Sequence, residues 1–183
     1  TGQAFFGFAR HGIVPDMITM GKPMGNGIPI SGLAAKEDVL AAFSDKLPYF
    51  NTFGGNPVSI AAAQAVLKYI KDENLQEHCK KAGAALLKAL KEVQERHPES
   101  VGDVRGAGLF LGFEFVKNDG NKTPDKDMAL NVIEMLRDEH ILTSVIGHYG
   151  NILKLRPPMV FSENDIDWFA TSLDKCITKL ENK

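Results

Sequence analysis

One lysine, Lys22, stands in the stretch ITMGKPMGNGIPISG, where an apolar run gives way to a loop carrying Gly21, Gly25, Gly27 and Gly32. Close-set glycines let backbone approach a ligand, and a residue at a strand end is held at the rim of a sheet, where α/β proteins bind ligands. An amine kept there is partly desolvated, which disfavours its charged form, so it can attack an aldehyde and form a Schiff base. The competing reading is a surface lysine that opens a loop, because lysines are seldom buried.

Two more stretches carry residue types with chemical use. In LKLRPPM, a strand running into Pro157 and Pro158 places Lys154 and Arg156 on one face and Leu153 and Leu155 on the other, by the period of two. A solvated basic edge would look the same. In NTFGGNP, Asn56 can cap a helix whose first turn holds Pro57, and a helix N-terminus also favours phosphate. The histidines His11, His78, His97, His140 and His148 have no ligand spacing, so no metal site is expected.

The elements that must position these residues follow from periodicity. Residues 16–21 read as a short buried strand, and residues 30–34 as a second one leading into a helical pattern over 36–43. Helices are expected over 57–70 and 75–96, the second burying Ala82, Leu86, Leu87, Leu90 and Val93 and stopped by Pro98. The run SVGDVRGAGLFLGFEFV alternates as one strand does, with Arg105, Gly106 and Gly108 in structural roles. A helix over 126–139, strands near 141–145 and 152–155, and a helix over 163–180 capped by Ser162 complete the chain. His148 and Tyr149 read as a plain turn. The class is α/β, with a boundary near residues 71–74.

Composition narrows the function classes. The 183 residues carry 21 basic and 23 acidic side chains, a net charge of −2, which gives no field to select nucleic acid or an anionic membrane. No apolar run approaches the roughly 20 residues of a membrane helix. Two cysteines, Cys79 and Cys176, make neither a disulfide framework nor a metal cluster, which fits a reducing cytoplasm.

Three segments in order, PDMITMGKPMGNGIPISG, YFNTFGGNPVSIAAAQAVL and VRGAGLFLGFEF, resemble the motifs of the class III aminotransferases. These are the ornithine and ω-amino acid group of fold-type I pyridoxal-phosphate enzymes. The resemblance implies the C-terminal part of the large cofactor domain over 1–72 and the small α+β domain over 73–183. It further implies that Lys22 forms the Schiff base with pyridoxal 5′-phosphate and shuttles the substrate proton. Thr52 would bind the cofactor phosphate of the neighbouring subunit, so a homodimer is expected. The aspartate that pairs with the pyridinium nitrogen would precede Thr1, so the chain is expected to be part of a longer enzyme and a poor catalyst alone. Strands carrying Ile18, Met20, Ile30 and Leu33 would then lack sheet neighbours, and self-association is expected.

The activity implied is transfer of an amino group between an amine or amino acid and a 2-oxo acid. Many members hold the substrate α-carboxylate with an arginine three residues before the first proline; here that residue is Lys154, with Arg156 nearby. Lysine lacks the planar fork of arginine. The same departure is similar to a subfamily of phospho-lyases that eliminate phosphate from phosphoethanolamine or phosphohydroxylysine. A non-catalytic dimerisation or interaction module is the third reading, since fold does not establish activity.

Overall fold

Leu86, Leu90 and Val93 recur at helical spacing, and in the computed structural model all three are buried along one face of a 22-residue helix. The structure describes Gly2 and residues 4–182. The chain divides into two units, Phe6–Leu75 and Gln76–Lys183 with Thr1–Phe5.

The N-terminal unit holds β1 (Met17–Met20) and β2 (Gly32–Ala35), paired antiparallel with Met20 opposite Gly32. Helix α1 spans Glu37–Ser44 and α2 spans Pro57–Asp72. Between β1 and β2 runs a 3-10 turn, Lys22–Gly25, against which α2 packs. The Asn56 side chain accepts from the Ser59 N–H at 3.0 Å and so caps α2 as expected. The strand expected to be buried is not: Met17 and Thr19 are exposed, and Ile18 and Met20 are only half-buried. A sheet of two strands has too little surface to enclose either of them.

The C-terminal unit is an antiparallel sheet in the order β3-β4-β6-β5 under three helices. Its elements are α3 (Leu75–Arg96), β3 (Val101–Ala107), β4 (Phe110–Phe115), α4 (Lys126–Asp138), β5 (Ser144–Ile146), β6 (Ile152–Leu155) and α5 (Glu163–Glu181). Where the alternation predicts one strand, the chain makes a hairpin, with Ala107 opposite Phe110. Gly108, at φ 53°, makes the reversal. Leu111, Phe113, Phe115, Leu153 and Leu155 point to the helices and join Leu86, Leu90, Val132, Leu136, Leu173 and Ile177 in one apolar core.

Close backbone approach fixes α3 on the hairpin. A Cβ on Gly83 would lie 2.3 Å from the carbonyl carbon and oxygen of Gly108, and one on Gly106 would lie 2.4 Å from the Phe110 carbonyl oxygen. Helix α5 starts at a capping box: the Ser162 Oγ accepts from the Asp165 N–H at 3.3 Å, while the Asp165 carboxylate accepts from the Ser162 N–H at 2.8 Å. The Ser162 hydroxyl also donates to the Asp165 carboxylate at 2.7 Å, and this bond first, then that from the Ser162 N–H, holds the Asp165 carboxyl below the usual carboxylate range. Cys79 and Cys176 are free and buried, and loss of hydration pushes both thiols up. Among the described residues no helix is long and apolar enough to cross a membrane.

Candidate active site

Lys22 follows the end of β1 and Gly21, and opens the 3-10 turn at φ 52°, the left-handed region that residues with a Cβ seldom occupy. Such a backbone fixes where the side chain leaves the chain, and strained residues of this kind cluster at functional sites. Lys22 is exposed, so the partial desolvation expected from its place in the sequence is not found in this chain, and it has no carboxylate partner among the described residues. Its amine is therefore not committed to an ion pair.

Thr52 lies in the exposed loop before α2. Asn51 shapes this loop: its Oδ1 accepts from the N–H of Phe53 at 3.1 Å and of Gly54 at 2.9 Å. Asn56 Nδ2 donates to the Phe53 carbonyl at 3.0 Å. Among the described residues the Thr52 hydroxyl and N–H have no hydrogen-bond partner, so the loop is pinned on both sides of Thr52 while its two donors stay available. Asn51 was not singled out from the sequence, although an Asn two and three residues before Phe53 and Gly54 is the signature of a side-chain-pinned turn. An amine outside any ion pair is open to an aldehyde, and a threonine presenting two donors is open to a phosphate. The N-terminal unit therefore fits pyridoxal 5′-phosphate at these two points.

Lys154 and Arg156 belong to the C-terminal unit. Leu153 and Leu155 are buried toward the helices, whereas Lys154 is half-buried and Arg156 exposed just past β6. Neither cation has a carboxylate partner among the described residues, in contrast to Arg96, Arg105 and Arg137. Both line an open cleft of about 420 Å³ at the end of β6, with Leu86, Thr143, Ser144 and Phe161. Thr143 Oγ1 donates to the Lys154 carbonyl at 3.3 Å and ties the backbone there. Across the sheet Lys154 has Ser144 on one side and Gly112 on the other. Neither neighbour was legible before the register was known.

Arg105 bonds Asp103 Oδ2 and Glu114 Oε2 from one nitrogen, each at 2.6 Å, and the Glu114 bond, then that to Asp103, raises its pKa further. No group of three His, Cys, Asp or Glu stands close enough to hold a metal among the described residues.

Comparison with known proteins places the chain in a family. The family model for aminotransferase class-III matches residues 1–177. An ethanolamine-phosphate phospho-lyase homolog of Caenorhabditis elegans is 45% identical over 91% of the chain, and an alanine–glyoxylate aminotransferase 2 homolog, mitochondrial, of Arabidopsis thaliana is 37% identical over 96%. The chain spans 36% of the length of each. A phospholyase from Arthrobacter, solved in complex with phosphoethanolamine, superposes with a TM-score of 0.93 at 37% identity, covering 97% of this chain and 42% of that one. The chain thus belongs to the class-III aminotransferase family, fold-type I enzymes that work with pyridoxal 5′-phosphate.

Proposed function

We propose that the enzyme of which this chain forms the sites described eliminates phosphate from a phosphorylated amine of the phosphoethanolamine class. The observation that carries the reading is Lys154 at the position before Pro157-Pro158 where many relatives place an arginine, half-buried and without a carboxylate partner among the described residues, with Arg156 beside it. Two uncommitted cations suit a phosphate dianion, whereas a carboxylate is better met by the planar fork of one arginine. Greater identity to the phospho-lyase relative than to the aminotransferase relative supports the same choice.

When bound, pyridoxal 5′-phosphate supplies an aldehyde that captures amines and a ring that takes up the electron pair of a bond broken at the amine-bearing carbon. Lys22 would hold that aldehyde through Nζ and, once displaced by the substrate amine, take the proton from the amine-bearing carbon. Lys154 and Arg156 would hold the substrate phosphate, whose oxygen leaves with the electron pair of the broken C–O bond. Water addition to the remaining C–N unit then releases ammonia and an aldehyde. Thr52 would offer its hydroxyl and N–H to the cofactor phosphate of the other subunit in a homodimer.

Residues 1–72 would form part of a larger cofactor-binding domain and residues 73–183 the small domain, a division supported by the parting of the two compact units at Leu75/Gln76. Buried, unpaired thiols support a reducing compartment, for which we propose the cytoplasm. The test is release of inorganic phosphate and ammonia from phosphoethanolamine by the full-length holoenzyme without any 2-oxo acid. Amino transfer to pyruvate or 2-oxoglutarate with no phosphate release would instead establish the second reading, transamination, which the alanine–glyoxylate aminotransferase likeness supports. A full-length protein that is colourless and takes up no cofactor would be the non-catalytic module.

A further inference from the structure

The sheet face turned away from the helices carries a row that the strand register sets: Ser144, Lys154, Gly112 and Arg105 stand opposite one another on β5, β6, β4 and β3. Directly opposed residues of antiparallel strands project to the same side. Lys154 and Arg105 are thus two cations in one row, separated by two interstrand steps, about 10 Å, with a glycine between them.

Glu114 lies two residues past Gly112 on β4, on the same face and diagonal to both cations. Diagonal neighbours are within reach of long side chains, so Glu114 has two possible partners. It is bound to Arg105. Arg105 Nη1 donates to Glu114 Oε2 at 2.6 Å, and Asn151 Nδ2, from a buried side chain anchored on the Phe115 carbonyl at 2.8 Å, donates to Glu114 Oε1 at 3.4 Å. The same Arg105 nitrogen holds Asp103, the other acid of this face. The one strand carboxylate diagonal to Lys154, Glu114, is therefore taken, Asp103 two strands away on β3 is held by the same guanidinium, and Gly112 adds no side chain between the two cations.

We propose that Arg105 is a specificity-determining positioning residue: by holding Glu114 it keeps Lys154 uncommitted for the substrate's anionic group. This rests on the proposed reading of Lys154 as an anion-binding residue. Arginine suits the task because one guanidinium can serve two carboxylates at once. Without it, Glu114 turns to Lys154 and competes with the substrate phosphate from within the protein.

The test uses the full-length holoenzyme with phosphoethanolamine as substrate, and compares wild type, Lys154→Met, Arg105→Gln and Arg105→Gln/Glu114→Gln. Arg105→Gln is expected to raise KM about tenfold with kcat changed less than about twofold, as for loss of one charge-assisted contact. Adding Glu114→Gln is expected to return KM to within about twofold of wild type, because the competing carboxylate is gone. Inorganic phosphate, titrated as a competitor and followed by its phosphorus NMR line width, is expected to follow the same order. A merely structural Arg105 would give no rescue, since the double variant lacks both partners. An unchanged KM in Arg105→Gln, or no rescue, overturns the inference while Lys154→Met still raises KM. An unchanged KM in Lys154→Met overturns the reading of Lys154 itself, and the inference with it.

Discussion

Lys22 combines a costly backbone with an uncommitted side chain. The left-handed conformation costs a residue with a Cβ roughly 1–2 kcal/mol, which relief by a glycine would recover. Lys22→Gly is therefore expected to leave stability unchanged or raised, while hydride-trapped full-length protein no longer carries the pyridoxyl mass on the peptide containing residue 22. Activity is expected to fall by at least about 10³-fold, the usual range for loss of a proton-transferring group. The lysine was legible in the sequence because residue type and glycine spacing are local. Its positive φ was not, since lysine has no preference that announces it. Thr52 was reached only through a likeness of motif; the freedom of its two donors depends on Asn51 drawing the neighbouring N–H groups away.

At the scale of elements, helical periodicity located α3, and a period of two ending at a proline pair located β6, because such runs leave few alternatives. The β3–β4 hairpin escaped, since the alternating residues run on through the turn and Gly108 is the sole local sign of reversal. With the hairpin went the register, and with the register the neighbours of Lys154. Gly83 was hidden in the same way. Alanine in a helix is favoured over glycine by about 1 kcal/mol, yet a Cβ at residue 83 would meet the Gly108 backbone, which has no soft end to give. Gly83→Ala is thus expected to lower stability by about 1–3 kcal/mol, read from the urea midpoint at constant slope. The capping box of α5 predicts a pH effect. The folded Asp165 carboxyl titrates below its unfolded value of about 3.9, so its contribution is complete above that pH and is lost as pH falls through the lower, folded value. Ser162→Ala is expected to flatten the stability profile in that acid window and to leave the slope above about pH 5 unchanged.

For the molecule as a whole, the loop that carries Thr52 is flanked by apolar side chains in water: Phe50 is 86% exposed and Phe53 78%. Exposed aromatics in such number mark a surface made to be covered. Phe53→Glu is expected to shift sedimentation of the full-length protein from dimer toward monomer, and to weaken retention of the cofactor together with assembly. A dimer that survives this change would remove the support this surface gives to a Thr52 that serves the other subunit. That the fold class was legible follows from whole-chain order, which hydrophobic patterning and three motifs carry. Exposure of the β1–β2 pair was not, because a pattern reports which side chains are apolar and says nothing about what is present to cover them.

The four-stranded sheet also bears on handling. Its outer strands are β3, whose register slips between Val101 and Asp103, and β5, only three residues long. A kinked rim and a stub are poor templates for a stranger's backbone. Precipitation during purification should accordingly not arise from ladder growth on this sheet, and detergent or a solubilising change at Phe50 should reduce it where β-breaking substitutions at residues 101–107 would do nothing.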